Sequence, residues 1–242
     1  NLLNPRPPSK LTGGMAGYAA QAHGRGVPIR IDEMNSVTCG GQHGVSDVFA
    51  SALWGINAMF QAMSDGVDGV NIHTFPGTAN QLFGFAIVGG HWTATVRPEY
   101  YGLLMFAKAA PPGSTLLTTI QQHTGQTRAW ATVGRDRYTR IALINDSLTQ
   151  PTSVLVRTSI TGEPATLERL LAPSAYATSG INLDGQSFGT QTLTGTLPGP
   201  TSSLTLPAPT GPGPIGAYVV SLPAASAALL TIPPRPRAPA RR

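Results

Sequence analysis

The sequence predicts an α/β region followed by an all-β region: the C-terminal fragment of a (β/α)8 barrel and then an antiparallel β-sandwich. Helical and short apolar segments alternate over residues 1–110. From residue 111 onward, short β-prone segments are separated by Gly, Asn, Asp and Pro turns. The 28 Gly and 22 Pro residues favour turns and short strands over long helices.

In the first region, the order of elements is typical of parallel strands with helices packed on them. We predict helices at 11–23, 46–64 and 99–110, strands at 27–33 and 67–74, and a long Gly- and aromatic-rich loop at 75–96. Ser46 is the expected N-cap of the second helix, and Pro98 opens the third. An eight-stranded barrel needs about 250 residues. We therefore expect some six of its βα units to lie outside this chain.

The strand at 27–33 carries a carboxylate to its end. Strict alternation of side chains places Ile29, Ile31 and Glu33 on one side of this strand. Arg30 and Asp32 then point to the other side, where we expect them to pair with each other or with a neighbour. The polar, glycine-containing loop that follows would let a ligand approach the backbone.

The second region is predicted to form the sandwich over residues 111–232. Its strands are expected at 116–122, 128–134, 139–146, 153–159, 165–171, 218–222 and 227–232. The Pro-rich segment 198–214 is predicted to be a loop, and residues 233–242 a disordered basic tail.

Composition limits the partners of the chain. The net charge is +5, but four arginines near the C-terminus account for all but +1, so no nucleic-acid partner is indicated. No apolar run approaches the roughly 18 residues of a membrane span, so we expect no membrane partner. The single cysteine and the spacing of the five histidines predict no metal site, and nothing points to another cofactor.

Three segments taken in order, together with the closing residues 221–230, resemble glycoside hydrolase family 79, the family of β-glucuronidases and heparanase. They are IDEMNS (31–36) followed by two glycines, GVNIH (69–73) and EYYGLLMF (99–106). The similarity covers about residues 10–232. It implies a retaining (β/α)8 barrel with a β-sandwich, and a carbohydrate substrate. It is also compatible with export from a bacterial cell, although the localisation stays open.

The resemblance implies that Glu33 is the catalytic nucleophile, because it matches the glutamate that ends strand seven in such enzymes. Their acid/base is the glutamate of an Asn-Glu pair, and this sequence contains no such pair. A retaining glycosidase needs both carboxyl groups. We therefore expect the acid/base to lie in the missing N-terminal half of the barrel, and this chain alone to be inactive.

The resemblance also implies a set of substrate-binding residues: Asn35, Thr38, Gly40, Gly41, Asn71 and His73. For Asn71 and His73, an ordinary polar role at the barrel rim is equally compatible with the sequence. Thr38 and Ile72 stand where family members that act on glucuronides have tyrosines, so a neutral β-glycoside competes as substrate. The glycines would still offer backbone N–H groups to an anion.

Two further alternatives stay open at this stage. Aromatic side chains in the long loop either stack on sugar rings or pack the loop itself; they are Phe75, Phe83, Phe85 and Trp92. The whole chain is either part of an enzyme or a non-catalytic carbohydrate-binding or structural β-sandwich module.

Overall fold

The structure is a computed structural model that describes residues 2–3, 12–122, 125–158, 163–209 and 216–235. The described chain is mostly sheet, with three helices longer than two turns: α1 (Met15–His23), α2 (Phe49–Ser64) and α3 (Pro98–Ala109). The strands of the first region are β1 (Arg30–Met34), β2 (Gly69–Ile72), β3 (Phe83–Val88) and β4 (His91–Val96). Those of the second are β5 (Thr115–Leu117), β6 (Thr127–Val133), β7 (Thr139–Asn145), β8 (Thr152–Thr158), β9 (Ala165–Leu171), β10 (Asn182–Leu183), β11 (Leu204–Leu206), β12 (Gly216–Leu222) and β13 (Ser226–Ile232).

Strands β1 and β2 form a two-stranded parallel sheet, as the sequence predicts. One face of this sheet packs on α2, where Ile31 and Val70 join a cluster built around Trp54 and Met59. The other face carries exposed polar side chains. The sheet therefore has a helix-packed face and an open face.

Helix α2 is buried on all sides rather than along a single stripe, because 12 of its 16 residues are buried. Opposite the parallel sheet, it packs against the second region. There the ring of Phe60 stacks on Trp130 with centroids 5.6 Å apart, and Asn57 Oδ1 accepts a hydrogen bond from Trp130 Nε1 at 2.9 Å. A helix that is apolar all round belongs between two layers.

The predicted N-cap at Ser46 is wrong, because α2 begins only at Phe49 and has no side-chain cap. The N–H groups of Phe49 and the next residue donate instead to the carbonyl oxygens of Ala177 and Ala175, each at 2.8 Å. The Ser46 hydroxyl accepts a hydrogen bond from the N–H of Gln42 at 3.0 Å. The second region thus supplies the cap that a local serine was expected to provide.

A seven-stranded antiparallel sheet forms the centre of the second region, in the order β10-β9-β13-β7-β6-β5, with β11 also pairing with β9. Strand β7 shows how both of its faces are buried. Ala142 and Ile144 face the helices, whereas Ile141 and Leu143 face a second antiparallel sheet made of β8 and β12. Layers of helices and strands therefore cover the central sheet on both sides.

Six of the seven strands predicted in this region lie within two residues of their expected bounds, whereas the strand predicted at 116–122 ends at Leu117. Strands β10 and β11 were not expected, and β11 lies inside the segment predicted as a Pro-rich loop. Residues 210–214 of that segment, and the predicted tail from 236 onward, lie outside the described residues.

The predicted loop at 75–96 contains a β-hairpin instead. Strands β3 and β4 pair in antiparallel register around Gly89 and Gly90, whose φ angles are +59° and +80°. Two consecutive residues with positive φ suit the tight turn of a two-residue hairpin, and glycine adopts that conformation without strain.

Helices α2 and α3 pack closely at Gly102, where a Cβ atom would overlap the carbonyl group of Ala52. We expect Gly102→Ala to lower the free energy of unfolding by roughly 1–3 kcal/mol, because the helices must separate to admit the methyl group. The matched control is Gly17→Ala in α1, where a Cβ would meet nothing within 4 Å. Urea unfolding followed by circular dichroism compares the two, and equal losses would contradict the close approach.

The side chain of Glu99, at the start of α3, is buried beside Gly55 of α2. Its Oε1 makes no hydrogen bond within the described ranges. Burial raises the pKa of Glu99 to about 8. The folded state therefore holds this carboxyl group in its neutral form at neutral pH.

This burial predicts a pH-dependent stability. Because the folded pKa of Glu99 exceeds the unfolded value, its contribution is complete below about pH 4.5 and is lost as the pH rises through 8. The slope is at most about 1.4 kcal/mol per pH unit.

Burial also raises the pKa of Asp146 to about 7, so Glu99→Gln should flatten only part of the dependence of stability on pH. Urea unfolding between pH 5 and 8, with partly exposed Glu163→Gln as control, measures the slope. An unchanged slope in Glu99→Gln would contradict the assignment.

Candidate active site

A register shift in β1 sets the position of Glu33. Ile31 pairs with Val70, but the next pairing joins Met34 to Ile72, so β1 contains one more residue than its partner between these points. Ile31 and Met34 therefore both pack on the α2 side, and Glu33 is exposed. The expectation that Ile31 and Glu33 share one side of the strand is wrong, because strict alternation does not hold across a bulge.

Glu33 and His73 come together where the parallel strands end. His73 Nδ1 lies 3.4 Å from Glu33 Oε1, and the two side chains are 44% and 64% exposed, respectively. In the amide orientation that satisfies its neighbours, Asn35 donates to the carbonyl oxygen of His73 at 2.7 Å. Asn35 thus fixes the backbone that carries the histidine.

Asn71 lies two residues before His73, and its side chain is held by Arg30. Arg30 Nε donates to Asn71 Oδ1 at 2.9 Å. A Cβ atom at Gly69 would overlap the guanidinium of Arg30, so this side chain crosses the strand at the glycine. Arg30 therefore pairs with a neighbour rather than with Asp32, and Asn71 has a protein partner on the open face.

The glycine loop after β1 turns through three residues with positive φ: Cys39 at +56°, Gly40 at +86° and Gly41 at +82°. A Cβ atom at Gly41 would lie 2.8 Å from the backbone nitrogen of Asn80, so glycine is required there. The N–H of Gly41 donates to the carbonyl oxygen of Thr38 at 3.3 Å. That group is therefore engaged, contrary to its expected role as a free donor to an anion.

Asn80 is a residue of this site that the sequence interpretation missed. It is buried, its N–H donates to the carbonyl oxygen of Gly40 at 3.2 Å, and its Oδ1 accepts a hydrogen bond from Thr78 at 2.7 Å. Its amide also contacts that of Asn35. Asn80 thereby joins the loops that follow β1 and β2. Nothing in the local sequence distinguishes it from other polar loop residues.

The structure separates the two positions where the resemblance expects tyrosines. Ile72 packs toward Trp54 and Met59 on the helix side, and therefore away from the face that carries Glu33. Thr38 is exposed on the glycine loop. An isoleucine at position 72 is thus explained by packing and says little about the sugar.

Glu33 does not line a cavity of about 420 Å³ that the described residues form. That cavity lies at the opposite end of β2, lined by residues that include His23, Met59 and Asp68. A hydrogen bond from His23 lowers the pKa of Asp68.

Among the described residues, no group of three or more His, Cys, Asp or Glu could hold a metal ion. None of the helices described is both long and apolar enough to cross a membrane.

Comparison with known proteins identifies related sequences and folds, although no protein-family model matches the chain. A β-glucuronidase from Aspergillus niger is 24% identical over 228 residues, which are 86% of this chain and 42% of that protein. The chain therefore spans less than half of this relative.

Solved structures show the same fold. A 4-O-α-L-rhamnosyl-β-D-glucuronidase from Fusarium oxysporum superposes with a TM-score of 0.77 at 20% identity, covering 95% of this chain and 49% of that one. An α-L-arabinofuranosidase from Thermotoga maritima gives a TM-score of 0.60 at 14% identity, covering 93% and 48%. The relative and the fold together confirm the resemblance seen in the sequence: this chain is similar to β-glucuronidase-like glycoside hydrolases of the family 79 type.

Proposed function

We propose that this chain is part of a retaining β-glycoside hydrolase in which Glu33 is the nucleophile. The observation that carries the proposal is the contact between Glu33 and His73 at the carboxyl ends of two parallel strands. Enzymes built on (β/α)8 barrels place their active sites at that end of the strands. In this proposal, residues 1–110 contribute the last βα units of the barrel and residues 111–232 the β-sandwich.

The chemistry assigned to Glu33 is a double displacement. Its carboxylate attacks the anomeric carbon, and the bond from that carbon to the leaving oxygen breaks while the acid/base donates a proton to this oxygen. Water, deprotonated by the same acid/base, then attacks the anomeric carbon and releases Glu33. His73 Nδ1, 3.4 Å from one carboxylate oxygen, would orient that oxygen and leave the other free to attack.

The acid/base is assigned to the part of the barrel outside this chain. Among the other glutamates, Glu99 is buried between helices, and Glu168 forms an ion pair with Lys108 at 2.6 Å. Glu163 lies just before β9 in the second region. The chain covers only 42% and 49% of its two glucuronidase relatives, which leaves room for a missing barrel half. In this proposal the chain alone is inactive and needs that half as its partner.

The substrate we propose is a β-glycoside of the glucuronide type or a neutral analogue. Both glucuronidase matches favour a glucuronide. A non-catalytic carbohydrate-binding module is the second candidate, because Glu33 is 64% exposed and does not line the cavity described above. The experiments below distinguish the two functions.

Glu33→Gln in the longer protein that contains this chain should lower kcat by roughly 10³-fold or more, because a neutral amide is a poor nucleophile. Glu33 is exposed, so the thermal transition should not change. In Glu33→Ala, added azide should restore turnover and yield a glycosyl azide of inverted configuration. Partly exposed Glu163→Gln is the matched control and should retain full activity. Undiminished hydrolysis by Glu33→Gln would refute the assignment and favour the binding module.

The stereochemistry of hydrolysis tests the retaining mechanism separately. With any aryl β-glycoside that the longer protein cleaves, a glucuronide or a neutral one, we expect the first product to be the β-anomer. Two displacements at the anomeric carbon restore its configuration. Proton NMR during the first turnovers observes the anomer before mutarotation, and an initial α-anomer would contradict a covalent intermediate on Glu33.

A further inference from the structure

The β3–β4 hairpin presents an aromatic face to solvent. At its inner end, the ring of Phe83 packs on Tyr100 with centroids 4.7 Å apart. At its outer end, Ile87 lies directly opposite Trp92, and Phe85 lies two residues before Ile87 on the same face. Phe85 and Trp92 are 65% and 68% exposed. We call Phe85, Ile87 and Trp92 the hairpin platform. Phe85 also contacts Phe83, with ring centroids 6.3 Å apart, but this contact leaves most of its ring open to solvent.

The hairpin is anchored to the loops of the candidate active site. The N–H of Leu82, at its base, donates to Oγ1 of Thr74 at 2.9 Å, and Thr74 directly follows His73. The N–H of Arg97 donates to the carbonyl oxygen of Leu82 at 2.9 Å and closes the base. The platform therefore continues from the end of β2 that carries His73.

The chemistry of this surface suits an uncharged, polar ligand. Residues 75–96 contain no Asp, Glu, Lys or Arg, and the same is true of residues 187–205. The latter segment flanks the hairpin, because Ala94 and Thr192 exchange backbone hydrogen bonds at 2.9 and 2.8 Å. The hairpin is thus flanked by an uncharged, threonine-rich segment. The guanidinium of Arg97 lies near Gly84, on the face of the hairpin opposite Phe85, so the platform itself carries no formal charge. A sugar ring offers an apolar face and hydroxyl groups to such a surface.

We propose that the hairpin platform binds neutral sugar residues that flank the residue held at Glu33. The proposal rests on the proposed function for its link to hydrolysis, but the binding itself is measurable without turnover. Stacking of the Trp92 and Phe85 rings on sugar faces supplies the contact, and the neighbouring threonine hydroxyls supply hydrogen bonds.

Tryptophan fluorescence of the 242-residue chain tests the binding. Trp54 is buried and Trp130 is stacked on Phe60, so Trp92 is the tryptophan most accessible to acrylamide. Neutral β-linked gluco-, galacto- and xylo-oligosaccharides are the probes, with oligogalacturonides as the charged comparison. We expect at least one neutral probe to shift the emission to shorter wavelength and to protect Trp92 from quenching.

Variants locate the binding on the hairpin. Phe85→Ala should weaken the protection about three- to tenfold, as expected for the loss of one stacked ring. Tyr176→Ala, an equally exposed aromatic residue of the second region, should bind like the unaltered chain. The proposal is overturned if no neutral probe protects Trp92, or if oligogalacturonides protect it equally well. Protection of Trp92 that increases with protein concentration in the absence of sugar would also overturn the proposal, because the hairpin platform would then be an interface between two copies of the chain.

Kinetics separate this proposal from the proposed function. In the longer protein, Phe85→Ala should lower kcat/KM for an oligosaccharide in which neutral sugars flank the cleaved residue three- to tenfold more than for an aryl glycoside of the same cleaved residue. If the two values fall equally while Glu33→Gln abolishes hydrolysis, the platform is refuted and the hydrolase stands. If Glu33→Gln is fully active but neutral sugars protect Trp92, the hydrolase assignment fails and the binding site stands.

Discussion

The burial of α2 between two layers of strands is the constraint on which the rest of the structure depends. Phe60 stacks on Trp130 of the central antiparallel sheet, and Trp54 packs on the parallel sheet from the opposite side. The first N–H groups of the helix are satisfied by Ala175 and Ala177. Separating the regions would expose these rings and leave buried donors without partners. The change of sequence character near residue 110 is therefore not an energetic boundary.

The same helix determines which face of the parallel sheet is available for chemistry. Because Ile31, Val70 and Ile72 are drawn toward α2, the polar side chains of β1 and β2 occupy the other face. Arg30 and Asn71 bind each other there, and Glu33 contacts His73 beyond them. In a closed barrel the face opposite the helices is the interior, where strand-end carboxylates meet a substrate. Among the described residues, the parallel sheet consists of β1 and β2, and Glu33 is exposed on its open face.

Hydrophobic patterning was sufficient to predict the strands in which apolar residues follow one another. The apolar runs IALI in β7 and AALL in β13 suit strands that are buried on both faces, and both strands were predicted within one residue of their bounds. The features that were predicted wrongly are determined by tertiary contacts. The cap of α2 comes from residues more than 120 positions away, so Ser46 looked locally sufficient but served another loop.

The hairpin was missed for a different reason. Its Gly-Gly turn between two β-prone runs is a recognised hairpin signal. The glycine and aromatic content of the segment also suits a long loop, so composition alone does not distinguish the two structures. Asn80 illustrates the opposite limit: its role depends on contacts with Gly40 and Asn35 in another loop, and no local sequence pattern predicts them.

The bulge in β1 links backbone geometry directly to the proposed chemistry. With strict alternation, Glu33 would lie beside Ile31 on the side of Trp54 and Met59, where an ionised carboxylate without a partner would cost several kcal/mol. Inserting one residue between Ile31 and Met34 returns Met34 to that apolar cluster and moves Glu33 to the open face. Bulges re-aim side chains in this way beside active sites. The apolar packing of Met34 and the accessibility of Glu33 are therefore two consequences of a single register shift.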